Sequence, residues 1–332
     1  MSPPRALVLT AGLGTRLRPL TYVRAKAAVP VNGETLARRV VRWLAAQGIR
    51  DLVLNLHHLP ATIATAVGDG ADLGVRVRYS WEVPILGSAG GPRRALPLLV
   101  DSPESGSGIP DPDPNGTFIL VNGDTLTDVP IDDMLALHGR AGATVTMALI
   151  PNPRPDMYGG VVVSEDGWVT GFTRPGTRER SWHFIGVQIA EASAFAALPD
   201  GVPAESVNAL YPRLIAASPH SVAAFRCAAS FQDIGTPADY LQTSLGLAAR
   251  EGDRMRSGGR QQIDDSAHLV RTAVWDDVTI GKRADLVECI VGDGVMIPDG
   301  ARYHRCAIVP AGARRPQDGE RIEGALLVTE LR

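Results

Sequence analysis

Four cations, Arg16, Arg18, Arg24 and Lys26, fall within eleven residues directly behind a Gly12-Leu13-Gly14 turn. Glycine lets backbone N–H groups approach phosphate oxygens, arginine grips them with two donors at once, and an ammonium adds a compact point charge. A polyphosphate is the guest that such a loop suits. Arg18 and Arg24 also have a plainer reading as solvated surface cations. That reading is weaker for Lys26, because this chain uses arginine by habit and only Lys26 and Lys282 are lysines. Two familiar phosphate loops fail here: the G-x-G-x-x-G fingerprint would need glycine where Leu17 stands, and no G-x-x-x-x-G-K-[ST] run occurs.

Three further motifs carry candidate chemistry. In Leu86-Gly87-Ser88-Ala89-Gly90-Gly91 the residue types suit a glycine-rich ligand loop, and equally a helix start with Ser88 as N-cap. Asp124 closes the apolar run Phe118–Val121 through Asn122-Gly123, a place where composition alone seldom puts a carboxylate. In Phe231–Tyr240, FQDIGTPADY, Thr236-Pro237 reads as a helix N-cap followed by proline at the first helical position.

The run LVLTAGLGTRLRPLT, Leu7–Thr21, followed by Lys26 and Val29-Pro30-Val31, resembles the signature of the sugar-1-phosphate nucleotidyltransferases, also called nucleotide-sugar pyrophosphorylases. LGSAGG resembles that family's L-G-T-A-G loop with Ser88 for threonine, VNGD its first metal aspartate and FQDIGTP its D-I-G-T-P element. The resemblance spans most of the first 250 residues and is greatest to mannose-1-phosphate guanylyltransferases with a C-terminal β-helix. It implies that Arg16 and Lys26 hold the triphosphate and the sugar phosphate. Leu9, Ala11, Gly12, Gly14, Thr15 and Arg16, with Gly87, Ser88, Ala89 and Gly90, would bind the nucleotide. Asp124 and Asp233 would hold Mg²⁺, a hard cation that takes a few carboxylates plus phosphate and water oxygens. On the sugar side it implies Gly159 (in Tyr158-Gly159), Thr173, Arg174 and Gly186. This chain has Thr173-Arg174-Pro175 where the family usually has E-K-P, and Phe184-Ile185-Gly186 where it has N-T-G or N-A-G.

The activity implied is transfer of a nucleoside monophosphate from a triphosphate to a sugar 1-phosphate, with pyrophosphate leaving. GTP with mannose 1-phosphate is favoured. The alternative is uridylyl or thymidylyl transfer to an amino-sugar, muramic acid or glucose 1-phosphate. From a different class comes a silent homologue that binds a nucleotide sugar and regulates a partner; the presence of Arg16, Lys26, Asp124 and Asp233 speaks against it. Acyl transfer by the C-terminal repeats would need a histidine base, and His304 reads better as an exposed corner.

These residues must be positioned by an α/β scaffold. Apolar runs at Ala6–Thr10, Leu52–Leu56, Val75–Tyr79, Phe118–Val121 and Ala143–Ile150, with a helix around Thr35–Gln47, follow βαβ grammar and predict a mostly parallel sheet. The signature then lies at the carboxyl end of the first strand, where open α/β sheets bind ligands. Runs at Gly160–Val163, Trp168–Phe172 and Phe184–Ile189 are too closely spaced for crossover helices and predict antiparallel pairing. A helix over Pro237–Ala249 closes this part. Asp101–Gly116, rich in Pro, Gly, Ser and Asp, reads as a mobile surface insertion.

From Ile263 onward apolar positions recur with a period of 17: Val278, Ile280, Ala284, Leu286, Cys289 and Val291 return as Val295, Ile297, Ala301, Tyr303, Cys306 and Ile308. That pattern predicts a short parallel β-helix of hexapeptide-like repeats, left-handed by resemblance, with the cysteines as core rungs. The expected division is a Rossmann-like mixed-sheet nucleotidyltransferase domain at 1–250, a linker at 251–262 and the β-helix at 263–332, the last also a surface for homo-oligomer formation. With net charge −3 and sequence pI near 6.2, nucleic acid is not an expected partner. No apolar run approaches the roughly 20 residues of a membrane span, and no separate signal-type stretch precedes the first strand, so no membrane association is expected. Three cysteines without metal or disulfide spacing place the chain in reducing cytoplasm.

Overall fold

The computed structural model describes residues 3–100, 116–177 and 181–331. The insertion expected at Asp101–Gly116 therefore lies, but for Gly116, outside the described residues. Packing divides the chain into two units, Met1–Gly12 with Arg39–Pro60 and Val67–Phe231, and Leu13–Arg38 with Ala61–Ala66 and Gln232–Arg332.

The first unit is built on nine strands: β1 (Ala6–Leu9), β2 (Asp51–Leu56), β3 (Arg76–Trp81), β4 (Thr117–Asn122), β5 (Val145–Pro151), β6 (Gly160–Val163), β7 (Val169–Thr173), β8 (Trp182–Glu191) and β9 (Val222–Arg226). Their order is β7-β6-β8-β4-β1-β2-β3, with β5 pairing β8 and β9. β1 is parallel to β2 and β4, and β2 to β3. β8 runs antiparallel to β4 and β5, and β6 to β7. The mixed sheet expected from strand spacing is thus present. Ala6, Leu7 and Val8 of β1 and Phe118–Val121 of β4 are fully buried, as strands covered on both faces must be, which is why they read as continuous apolar runs. A tilted Phe118–Phe195 ring pair, 5.7 Å between centroids, lies in that core.

In the second unit the C-terminal segment forms three short sheets whose successive coils pair in parallel, the third being extended by two antiparallel strands, Leu326–Glu330 and Glu320–Glu323. Ile263 pairs with Ile280 and Ile280 with Ile297; Leu269 with Leu286 and Leu286 with Tyr303; Val274 with Val291 and Val291 with Ile308. Every step is 17 residues, so the sequence period is the coil length, and the arrangement is consistent with the β-helix expected. Cys289 and Cys306 are buried rungs, as read from sequence; His304 is exposed but ends the strand Arg302–His304 opposite Val287, the corner falling at Arg305, and Cys227 lies outside the repeat, half-buried. The coil corners add a second repeat that the apolar pattern hides. Arg271, Glu288 and Arg305 sit 17 apart at φ 50, 53 and 50°, left-handed backbone that side-chain-bearing residues rarely adopt. Glu288 accepts from Arg271 at 3.0 Å and from Arg305 at 3.1 Å, a charge ladder along one edge.

Leu286 is fully buried between the neighbouring rungs. Leu286→Ala should cost about 2–5 kcal/mol through lost transfer energy and a residual cavity. Arg271→Ala, at an exposed corner, should cost no more than about 1 kcal/mol. Urea unfolding midpoints of the two variants check the contrast.

Candidate active site

At the carboxyl ends of β1, β2 and β3 a buried polar network joins the loops of the first unit. Asn55, at the end of β2, accepts from Thr10 N–H at 2.6 Å through Oδ1, and its carbonyl accepts from the Thr10 hydroxyl. Its amide nitrogen donates to Glu82 Oε1 at 2.6 Å, and Leu86 N–H donates to Glu82 Oε2 at 2.8 Å. Glu82 is only 1% exposed. A buried carboxylate is tolerated only when its oxygens are hydrogen-bonded, and here one is spent on the Asn55 side chain and the other on the Leu86 backbone. The signature's Thr10-Ala11 is thereby fixed to the Leu86–Gly91 loop. Sequence reading found both loops but neither Asn55 nor Glu82, whose residue types are unremarkable until the strand ends meet.

The Leu86–Gly91 loop opens a helix at Gly87 that runs to Leu99, but Ser88 is not its N-cap. The Ser88 hydroxyl instead donates to Glu205 at 2.7 Å and accepts from Ser206 N–H at 2.9 Å. The helix N–H groups of Ala89 and Gly90 donate to the Ala204 carbonyl at 2.9 and 3.2 Å, which does the work a capping hydroxyl would have done. A Cβ at Gly90 would lie 2.7 Å from the Val202 carbonyl, so this loop needs glycine where the 202–206 backbone presses on it.

Asp124 sits in the turn after β4. A Cβ on the preceding Gly123 would lie 2.7 Å from the Leu9 carbonyl, so the aspartate's turn rests on the end of β1. Gly186, on β8 at φ 77°, faces the same turn: a Cβ there would lie 2.7 Å from both Asn122 Nδ2 and Thr125 Oγ1. The fold thus brings together Leu9, Ala11 and Gly12, the Gly87–Gly90 loop, Asp124 and Gly186.

The other sugar-side candidates lie along β6 and β7. The Thr173 hydroxyl accepts from Gly160 N–H at 3.1 Å, a turn-holding contact, and Arg174 is exposed. Tyr158 stacks on His183, centroids 4.4 Å apart, and His183 lies 4.9 Å from Phe231. Burial pushes the His183 imidazole down to about 4 from 6.5, opposed by a contact with the Gly159 backbone. Sequence reading missed this neutral imidazole beside Tyr158-Gly159.

In the second unit the signature continues from Leu13. Gly14 is left-handed at φ 60°, and a Cβ there would lie 2.7 Å from Thr21 Cγ2 and 3.1 Å from Lys26 Cβ. Lys26 is thereby seated against the turn that its spacing from Gly14 suggested. Arg16 and Asp233 meet at Gly235, where a Cβ would lie 3.1 Å from Arg16 Nη1 and 3.4 Å from Asp233 Oδ2. Thr236 caps the helix Pro237–Glu251 as expected, and Asp239 completes a reciprocal capping box. Arg24 is not a solvated cation. Its side chain is 14% exposed and is held by Asp293 at 2.6 and 2.7 Å and by Asp276. Burial works against the charged guanidinium, but Asp293 and then Asp276 outweigh it and hold its pKa above the ordinary value. A cavity of about 470 Å³ in this unit is lined by Arg24, Arg38, Tyr240, Trp275, Asp276 and Asp293 among others. Of the four cations behind the Gly12-Leu13-Gly14 turn its lining includes Arg24, and it takes in none of the residues that the resemblance assigns to substrate.

Loops gathered at the carboxyl ends of parallel strands in the first unit define an α/β protein of the kind that binds ligands at that edge. The sequence pattern of the nucleotidyl transferase family matches residues 5–250, and the chain belongs to that family. It is 28% identical over 316 residues to a mannose-1-phosphate guanylyltransferase of Mycobacterium tuberculosis, covering 92% of this chain and 82% of that one. It is 26% identical to a UTP–glucose-1-phosphate uridylyltransferase of Synechocystis, covering 90% and 76%. Its fold is shared with HddC of Yersinia pseudotuberculosis, solved with GMP-PN, at TM-score 0.61 and 20% identity over 74% of this chain and all of that one. Among the described residues no helix is long and apolar enough to cross a membrane.

Two expectations follow from this geometry. Asn55→Ala leaves a buried N–H and a buried carboxylate oxygen without partners, at roughly 1–3 kcal/mol each, so a loss of about 2–4 kcal/mol is expected in denaturant titration. For His183, the unfolded chain binds a proton at its ordinary value while the folded chain resists down to about 4. Stability from this group is therefore unaffected above about pH 6.5 and is lost progressively as pH falls towards 4. Thermal midpoints should show the gap between wild type and His183→Gln narrowing from pH 7 to pH 5.

Proposed function

We propose that this chain transfers a nucleoside monophosphate from a nucleoside triphosphate to a sugar 1-phosphate, with GTP and mannose 1-phosphate as the substrate pair. The observation that carries the reading is the gathering of the signature backbone, the Gly87–Gly90 loop, Asp124 and Gly186 at one end of the β4-β1-β2-β3 strands. The guanylyltransferase relatives favour guanosine and mannose; uridylyl or thymidylyl transfer to another hexose 1-phosphate is the alternative.

The reaction is an in-line attack by a sugar phosphate oxygen on the α-phosphorus, with pyrophosphate leaving, and it needs no protein nucleophile. Catalysis then rests on positioning and charge neutralisation. The backbone of Leu9, Ala11, Gly12, Gly14 and Thr15 and the loop Gly87, Ser88, Ala89 and Gly90 receive the nucleotide. Arg16 and Lys26 take the charge that develops on the phosphates. Gly159, Thr173, Arg174 and Gly186 are assigned to the sugar phosphate.

Asp124 and Asp233 would hold Mg²⁺. Among the described residues no three His, Cys, Asp or Glu side chains converge, and a donor set of one or two hard carboxylates suits Mg²⁺, which completes its shell with phosphate and water. When bound, the cation supplies charge neutralisation and a template for the phosphates. The same reading divides the chain into a nucleotidyltransferase domain at 1–250, a linker at 251–262 and a left-handed β-helix at 263–332, in the cytoplasm.

Pyrophosphate release with Mg²⁺, measured across GTP, UTP, dTTP, ATP and CTP against mannose, glucose, N-acetylglucosamine and muramic acid 1-phosphates, tests this. One productive pair establishes the activity. Silence from folded protein that still binds a nucleotide sugar would replace it with the regulatory homologue. In the active pair, Asp124→Asn and Asp233→Asn should each lower kcat by at least about 100-fold, or roughly 2.7 kcal/mol of barrier, at unchanged fold. Near-normal turnover at limiting Mg²⁺ would remove the residue from the metal site.

A further inference from the structure

The signature segment from Arg24 to Pro30, which contains Lys26, is fastened at both ends to one corner of the C-terminal strand stack. At its start, Arg24 donates to both oxygens of Asp293 at 2.6 and 2.7 Å, and to Asp276, which stands one 17-residue coil earlier. The two acids are themselves locked together, Asp276 N–H donating to Asp293 Oδ1 at 3.1 Å. The Arg24 guanidinium lies over the Trp275 ring, 5.4 Å from its centroid. At the far end, Trp275 Nε1 donates to the Tyr240 hydroxyl at 2.9 Å, and that hydroxyl donates to the Pro30 carbonyl at 2.6 Å. Between these anchors Ala25 N–H donates to Thr62 Oγ1 at 3.1 Å, and Ala28 N–H closes a turn on the Ala25 carbonyl at 2.8 Å. Trp275 and Tyr240 are 2% and 1% exposed and the Arg24 side chain 14%, so the clamp is packed on its ring side, while Asp276 keeps 42% of its side-chain surface open to solvent.

A bidentate guanidinium–carboxylate pair with low exposure is geometrically demanding, since both partners lose water and regain it as fixed hydrogen bonds. Two carboxylates on one guanidinium set the direction of the Arg24 side chain and with it the backbone two residues before Lys26. The stack is rigid because each coil is registered on the next. We propose that Arg24 is a positioning residue, through which Asp276 and Asp293 of the C-terminal stack hold Lys26 against the Gly14 turn in the geometry phosphate transfer needs. This rests on the reading of Lys26 as a phosphate-binding residue. The C-terminal segment is then part of the catalytic apparatus without touching substrate, and Arg24, although it belongs to the signature's run of cations, never meets phosphate.

The test compares Arg24→Gln, the double variant Asp276→Asn with Asp293→Asn, and Arg24→Lys in the full chain. The first two should lower kcat at least 10-fold while KM for the nucleotide changes less than about threefold and the thermal midpoint moves by only a few degrees. Arg24→Lys, which keeps the charge but reaches fewer oxygens, should recover part of kcat. Hydrogen exchange supplies a readout that needs no activity: peptides covering 24–31 should exchange faster in Arg24→Gln while peptides covering 278–309 keep their protection. Wild-type kcat in both carboxamide variants, unchanged exchange over 24–31, or equal loss of protection in the stack would each overturn the proposal. If wild type is inactive on every substrate pair yet exchange over 24–31 responds, the transferase reading fails and the mechanical coupling stands alone.

Discussion

Burying the Glu82 carboxylate is the constraint on which the first unit's ligand-facing end depends. In a low-dielectric site that charge is tolerated only because the Asn55 amide and the Leu86 N–H satisfy its two oxygens. The same arrangement forces Asn55 to spend its carbonyl oxygen on Thr10. Three strand ends are therefore held by one network, and the glycine-rich loops that emerge from them keep their spacing. The glycines do the complementary work: Gly91 leaves room for Glu82, whose Oε1 would lie 2.5 Å from any Cβ there, and Gly123 leaves room for the end of β1.

The second unit solves a different problem with different forces. Its C-terminal coils have little apolar mass individually and become stable by stacking, so Ile280, Leu286, Cys289 and Val291 must each meet the equivalent residue of the next coil. That demand also places acids at matching corners, and Asp276 and Asp293 become a pair able to grip one guanidinium. The exposed corner ladder of Arg271, Glu288 and Arg305 contributes little energy, being open to water, but it marks the coil register. Both units thus use periodic backbone to present a few polar side chains at fixed positions. The family the chain belongs to performs phosphate chemistry that requires little more than such placement.

Much of this was legible in the amino-acid order. The strand runs, the antiparallel pairing among Gly160–Ile189, the Thr236 cap and the 17-residue period all depend on local patterning, and local patterning survives in the sequence as spacing and residue type. The run ending at Ile150, read with the parallel strands, instead pairs antiparallel with β8. Gly14 was recognisable because close backbone approach permits few residue types, and Thr236-Pro237 because helix starts do, whereas Asp233 stood out only through the family resemblance. What remained hidden were partnerships between residues far apart along the chain. Ser88 looks like a cap in its own neighbourhood and becomes a bridge to Glu205 and Ser206 only when a distant loop arrives. Arg24 is indistinguishable by type from Arg16, yet one is 269 residues from the aspartate that claims it and the other lies beside Asp233 and Gly235. Asn55, Glu82 and His183 carry no signal at all until burial gives them one. Sequence by itself determined the periodicities, the glycine positions and the supply of charges, because these follow from backbone geometry over a few residues. Only the tertiary structure decided which distant residues pair, as Arg24 does with Asp293, because that depends on desolvation and on neighbours brought together by folding.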